Sequence, residues 1–435
     1  MIAYEYPPSA GGGVQRVMKL ARYLPEFGWQ PYVLSATPVP GTPVDGSLLA
    51  EVSHVDARYL PDRNVAATIA RAIAPLKRAR RQPASGGPAA AGVDLGRAAV
   101  RAPVSTRLAR HFFIDSAEVW SRSVPSAAVR WSREVAFDAV IASGPPHSAL
   151  VAGARAARML GVGYVVDLRD AWAGNLGYTW PEASRQQVRS RALQKGVLEA
   201  ADAVVAVSEP IAAEARETGA AETVVVPNGF DPADLPLWAP APGPLRVAFM
   251  GRFYGTTDPT VFFDGVARYV ERSGSSAGDL CIDAVGPDSP FVRAIVAERG
   301  LGDIVTYHGF KPHAEALGIV ARADVGLVVL TDHPGAEAIY TSKLFEYLGI
   351  GMPVLFVGPE RGVAARLIEE ADGGTVVAND SPDRIAAELD RMAAAKAAGT
   401  FSHSPREDVL ARYHRRSQAG AVAEVLTGVT GGRDV

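Results

Sequence analysis

The chain has a single cysteine, Cys281, in 435 residues. An internal disulfide is therefore excluded, and one free thiol fits a reducing compartment. No apolar run reaches the roughly 18 residues needed to span a bilayer, and no signal peptide opens the chain. The formal net charge is only −3, so the basic excess of a dedicated nucleic-acid binder is missing. The expectation is a cytoplasmic protein. What is present is 48% apolar and 21% charged residues with frequent glycine and proline, the balance of a soluble globular protein. The length exceeds one ordinary core and implies roughly two to three domains.

Charge is unevenly spread. Between Asp62 and Asp115 the only acid is Asp94, against ten lysines and arginines that include Lys77, Arg78, Arg80 and Arg81. Ile69, Ile73 and Leu76 recur at helical spacing beside these cations. The excursion over about 63–111 reads either as an interfacial segment facing anionic membrane lipid or as a solvated basic stretch. Gly86-Gly87-Pro88 and the alanines after it look like a flexible connector and favour the solvated reading.

Short apolar runs alternate with helical patterns along the whole chain, which argues for α/β architecture with parallel sheets. Strands are expected at Tyr32–Leu34, Phe137–Ala142, Tyr164–Leu168, Ala203–Val207 and Val224–Val226, with a helix from Ser148 closed by Gly161. Prolines 232, 236, 240, 242 and 244 crowd one short stretch. The rhythm then restarts, with strands at Arg246–Met250, Leu280–Val285, Ile304–Tyr307, Val325–Val329, Val354–Val357 and Thr375–Val377. The expected organisation is an N-terminal domain over 1–231, a Pro-rich linker over 232–244 and a C-terminal domain over 245–405. A final helical segment occupies 406–435. Two such domains imply a ligand cleft facing the C-terminal ends of the strands.

The most informative stretch is Tyr340-Thr341-Ser342-Lys343-Leu344-Phe345-Glu346-Tyr347-Leu348, a loop that turns into a helix. Helix N-termini expose unpaired N–H groups and partial positive charge, which suits phosphate. Glu346 lies among apolar neighbours, where a carboxylate needs a reason such as ribose hydroxyls; an N-cap with a surface glutamate is the plain alternative. Gly251-Arg252 follows a strand and is placed to clamp a diphosphate, or to form a surface ion pair. The loop Gly11-Gly12-Gly13 allows close approach of backbone to phosphate but lacks the spacing of a dinucleotide fingerprint or a P-loop.

In the N-terminal half, Ser143-Gly144-Pro145-Pro146-His147-Ser148 and Asp167-Leu168-Arg169-Asp170-Ala171-Trp172 each follow a strand. Asp167 and Asp170 are base candidates, and Arg169 either binds an acceptor or braces the loop in an Asp–Arg pair. His147 either orients a substrate or caps and packs.

These motifs, with Tyr6-Pro7-Pro8, Val226-Pro227-Asn228-Gly229-Phe230-Asp231 and Lys343-Leu344-Phe345-Glu346-Tyr347, occur in the order seen in glycosyltransferase family 4, which the chain resembles from about Tyr4 to Leu426. The resemblance implies a GT-B fold, two Rossmann-like domains around a central cleft, with a final helix crossing back to the N-terminal domain. It implies a retaining transfer from a nucleotide-diphosphate sugar, with no required metal and no cofactor. Glu346 would bind the ribose hydroxyls, and amides around Tyr340, Thr341 and Ser342 the distal phosphate. Gly251 and Arg252 would take the diphosphate, Gly12 and Gly13 would approach from the other domain, and Phe310 would lie at the base. His147, Asp167, Asp170 and Arg252 are the catalytic candidates, and Arg169 and Trp172 are assigned to the acceptor.

The chain departs from the pattern in four places. Ala338, beside Glu337, replaces the first of two glutamates eight apart. The lysine that often follows Gly-Arg is absent near Thr256-Thr257, and Lys343 is the substitute. Asp167-Leu168-Arg169-Asp170 stands where many members carry a histidine. The first strand is short, as a start site placed too late would leave it. The expected function is transfer of a hexose-type sugar to a glycan, glycolipid or natural-product hydroxyl. The alternatives are a nucleotide-sugar 2-epimerase and a weakly active nucleotide-sugar-binding partner subunit.

Overall fold

The computed structural model describes residues 1–10, 12–38, 44–62, 114–173, 180, 182–253, 257–274 and 278–431. The expected basic excursion over 63–111 lies outside them. The chain is α/β and divides into two compact units. The first comprises Met1–Ala206, Ala212–Val224 and Ala423–Val435; the second comprises Val207–Ile211 and Val225–Val422.

The first unit is built on strands β1 (Ile2–Ala3), β2 (Tyr32–Ala36), β3 (Asp56–Leu60), β4 (Ala139–Gly144), β5 (Gly163–Leu168), β6 (Ala203–Ala206) and β7 (Thr223–Val225). Their order is β3-β2-β1-β4-β5-β6-β7. The pairings from β1 to β6 are parallel. Chain direction across the sheet reverses between β1 and β4, the switch point where open α/β sheets bind ligands. Helix Gly12–Tyr23 lays Val14, Val17, Met18 and Ala21 into the core beside Val33 and Leu48. Helix Ser148–Leu160 ends on Gly161, which takes the left-handed conformation at φ +71° that glycine adopts without a Cβ penalty.

The second unit holds β8 (Leu245–Met250), β9 (Leu280–Val285), β10 (Val305–Gly309), β11 (Val325–Val329), β12 (Val354–Val357) and β13 (Gly374–Val377), in the order β10-β9-β8-β11-β12-β13. Its switch point lies between β8 and β11. Strands β11 and β12 are buried at every residue, as expected for parallel strands covered on both faces. One face packs Leu344, Phe345, Tyr347 and Leu348 of helix Ser342–Ile350. The other packs Phe262, Phe263 and Leu389 from helices Thr260–Ser273 and Pro382–Ala397.

The Pro-rich stretch 232–244, expected as the interdomain linker, is bonded to the second unit. It groups with the second unit, where Trp238 donates through Nε1 to the Ala323 carbonyl at 2.9 Å. Ala239 and Ala241 donate to Ala321 and Arg322, and Lys396 Nζ donates to the carbonyls of Ala241 and Pro244. The passage from one unit to the other falls at Val224/Val225. Helix Arg415–Gly431 divides between the units at Val422/Ala423.

Candidate functional site

In the second unit the site grows from the end of β8. Gly251 has φ +117°, the left-handed region that favours glycine. A Cβ on neighbouring Gly286 would lie 1.9 Å from the Gly251 carbonyl oxygen, so the ends of β8 and β9 approach as closely as backbone allows. Met250 N–H donates to Tyr347 Oη at 2.8 Å, which ties this strand end to helix Ser342–Ile350. Gly326 makes room for the Tyr347 ring: a Cβ there would sit 2.4 Å from it.

That helix buries Leu344, Phe345, Tyr347, Leu348 and Ile350, leaving Lys343 and Glu346 partly exposed, one turn apart. Thr341 is the N-cap by its extended backbone, yet its side chain makes no capping bond. Its Oγ1 is buried with no hydrogen-bond partner among the described residues. The first amides of a helix have no acceptor within it, so the Thr341–Lys343 turn presents donors and partial positive charge. Lys343 Nζ lies 4.0 Å from the Phe249 ring centroid and 3.7 Å from where a Gly251 Cβ would stand. Burial lowers its pKa to about 8, with the Glu346 charge opposing the shift. Glu346 Oε1 lies 2.8 Å from His313 Nε2.

Tyr340 packs on Phe345 with centroids 5.2 Å apart, and desolvation raises its phenol pKa, as does hydrogen bonding to Tyr413. Arg252 is exposed beside Gly251 and forms no ion pair among the described residues. Ser342 is partly exposed at the first helical position. Phe310 follows β10 with 54% exposure. A pocket of about 260 Å³ adjoins Gly251 and is lined by Phe249, Phe253, Gly286, Arg293, Tyr307 and His308, among others. The structure thus sets Lys343 against the Gly251 strand end, on a helix whose N-cap is Thr341 and which also carries Ser342 and Glu346. Glu337, near the departure at Ala338, is exposed and accepts from Gly335 N–H at 3.1 Å.

In the first unit several expectations are corrected. Asp167 is fully buried: Arg16 donates to it through Nε at 3.0 Å and Nη2 at 2.8 Å, and Ser143 Oγ at 2.6 Å. Both its oxygens are engaged and neither meets solvent, so it is a brace and not a base. His147 is also fully buried, stacked on Trp172 at 4.7 Å and hydrogen-bonded to the Asp170 backbone. Burial drives its pKa down to about 3, so it is neutral near pH 7 and has no surface to offer a substrate. Trp172 is buried, with Nε1 donating to Ser190 Oγ at 2.9 Å, and it has no surface for an acceptor.

Arg169 donates to the Gly13 carbonyl at 2.6 Å and to the Pro145 carbonyl, so its loop-bracing role runs to backbone and the buried Asp–Arg pair uses Arg16 instead. Gly12 opens helix Gly12–Tyr23. At Gly13 a Cβ would lie 2.6 Å from Glu5 Oε2 and 2.7 Å from Arg169 Nη1, so a side chain there would displace the ends of Glu5 and Arg169. Asp170 keeps exposed surface, and desolvation raises its pKa against the pull of Arg169. Sequence reasoning missed Glu5, Arg16 and His313. The signal for Glu5 is its place at the end of the first strand, before Tyr6-Pro7-Pro8. Arg16 gives no signal, since its partner is 151 positions away.

Comparison with known proteins agrees with this architecture. Residues 57–234 match the family described as Glycosyltransferase Family 4. No curated protein sequence matches the chain. Among solved structures, the chain is similar to the apo form of a lipopolysaccharide outer core galactosyltransferase, WaaB, at 12% identity and TM-score 0.56, covering 98% of this chain and 99% of that one. It is similar to sucrose-phosphate synthase from Thermosynechococcus elongatus at 15% identity and TM-score 0.60, covering 99% and 97%. A trehalose 6-phosphate synthase from Burkholderia multivorans matches at 14% identity and TM-score 0.61, covering 99% and 96%. At these identities the structural likeness defines the fold, which is GT-B. With the family match over 57–234, the chain is a glycosyltransferase of the GT-B type.

Proposed function

We propose that the chain is a retaining glycosyltransferase that uses a nucleotide-diphosphate sugar and a hydroxyl acceptor. The second unit binds the donor. The observation that carries this reading is Lys343 at the Gly251 strand end, on a helix that starts uncapped at Thr341 and carries Glu346 one turn on. In the transfer, the bond from the anomeric carbon to the diphosphate oxygen breaks and a bond to the acceptor oxygen forms. The acceptor proton passes to the departing diphosphate. Lys343, Arg252 and the Thr341–Lys343 amides stabilise the charge that develops on the leaving group; each such donor is worth about 3–4 kcal/mol by analogy with oxyanion holes.

Asp170 and Glu5 are accessible carboxylates in loops of the first unit and are proposed to orient the acceptor. Asp167 and His147 hold the loop behind them. Neutralisation of the diphosphate is assigned to protein cations, with no metal. No helix among the described residues is long and apolar enough to cross a membrane. We place the protein in the cytoplasm, where its thiol stays reduced, with its basic segment as the element that would meet an anionic membrane.

The test is a transfer assay over a panel of nucleotide-diphosphate sugars with hydroxyl acceptors, in the presence of a chelator, reading the anomeric configuration by NMR. Acceptor-dependent release of nucleoside diphosphate with a retained anomer supports the reading. Isomerisation of the donor without any acceptor, inversion, or loss of activity in chelator contradicts it.

A further inference from the structure

Glu346 is mostly buried, with 13% of its side chain exposed, yet Lys343 on the preceding turn sits over the Phe249 ring. The hydrogen-bond partner of Glu346 is His313, the first residue of helix His313–Val320, with Nε2 at 2.8 Å from Oε1. An ionised carboxylate only accepts, so His313 presents its hydrogen at Nε2. The bond holds Oε1 in place and narrows the range of carboxylate orientations. Oε2 and the second lone pair of Oε1 remain for a ligand. Two acceptors on one carboxylate held this way match the vicinal hydroxyls of ribose, and a 2′-deoxyribose offers only one of them.

We infer that His313 is a positioning residue that holds Glu346 for a ribose diol, so that the site selects ribonucleoside over 2′-deoxyribonucleoside diphosphates. This rests on the assignment of Glu346 to the donor ribose. His313 acts through Glu346 and need not touch the nucleotide. A glutamine at the same position retains an N–H donor, whereas alanine does not, which separates positioning from mere packing.

The experiment is calorimetric titration of the full chain with UDP, GDP and ADP and with their 2′-deoxy counterparts. Wild type is compared with His313→Ala, His313→Gln and Glu346→Gln. A hydrogen bond to a charged group is worth 1.5–3 kcal/mol, so wild type should prefer the ribo form at least about tenfold. In His313→Ala the preference should shrink below about threefold, and His313→Gln should recover much of it. Combining His313→Ala with Glu346→Gln should add no further loss of selectivity.

An equal preference in wild type and His313→Ala overturns the inference while leaving the donor site standing. So does the absence of any ribo preference in wild type. If no nucleoside diphosphate binds wild type, the donor assignment itself fails and this inference with it.

Discussion

Lys343 stands over the face of Phe249, with Nζ 4.0 Å from the ring centroid, and this contact sets the ammonium at the end of β8. The aromatic face and the surrounding protein remove water from the cation, and its pKa falls to about 8. An arriving diphosphate reverses that cost, because an opposite charge favours the protonated form. At pH 8 the free protein is near half-titrated at this group, so binding should take up about half a proton. Calorimetry in two buffers of different ionisation enthalpy reads the uptake, and Lys343→Met should abolish it.

Tyr347 gives a second prediction. Its hydroxyl is the acceptor for the Met250 N–H at the strand end that carries Gly251. Tyr347→Phe leaves that amide without its partner, at about 1–3 kcal/mol. Urea unfolding should show that loss, and nucleotide affinity should fall because the Gly251 backbone is no longer pinned to the helix.

Asp167 is expected to matter for folding and not for proton transfer. Removing it takes the ion-pair partner from the Arg16 guanidinium, which is 1% exposed, and breaking a buried pair this way costs about 3–5 kcal/mol. Asp167→Ala should therefore lower the unfolding midpoint sharply. If the protein stays folded at low temperature, its turnover there should lack the shift in pH profile that loss of a general base produces.

His147 gives an acid limb to the stability curve. The folded chain holds this imidazole at about 3, whereas the unfolded chain titrates near 6.5. Between those values the unfolded state binds more protons, so stability falls as pH falls through that window. His147→Phe keeps a ring against Trp172 and removes the titration. Urea midpoints at pH 7 and pH 5 should converge in the variant relative to wild type.

Much of the fold was legible because it is written in local signals. The apolar runs at Val325–Val329 and Val354–Val357, and the glycine closing a helix at Gly161, match the observed ends. Strand β3 was missed although Asp56-Ala57-Arg58-Tyr59 carries the period of two, with Ala57 and Tyr59 packed on the core. It is an edge strand, and on its other face Arg58 reaches Glu134 and lies 4.3 Å over the Trp131 ring. The stretch from Tyr340 to Glu346 was legible as a loop that turns into a helix, because its residues are adjacent in sequence. The roles of Asp167, His147 and Trp172 were not, because burial and partners are long-range properties. Asp167 meets an arginine far upstream, and the His147–Trp172 stack joins two loops. His313 was missed for the same reason, being 33 positions from Glu346.

A crystal structure of the chain with a bound nucleoside diphosphate tests the donor assignment most directly. The phosphates should rest on the amides at Ser342 and Lys343 with Lys343 Nζ within hydrogen-bonding reach, and the ribose hydroxyls should meet Glu346. A nucleotide seated elsewhere, with Glu346 and Lys343 both remote from it, would contradict the assignment.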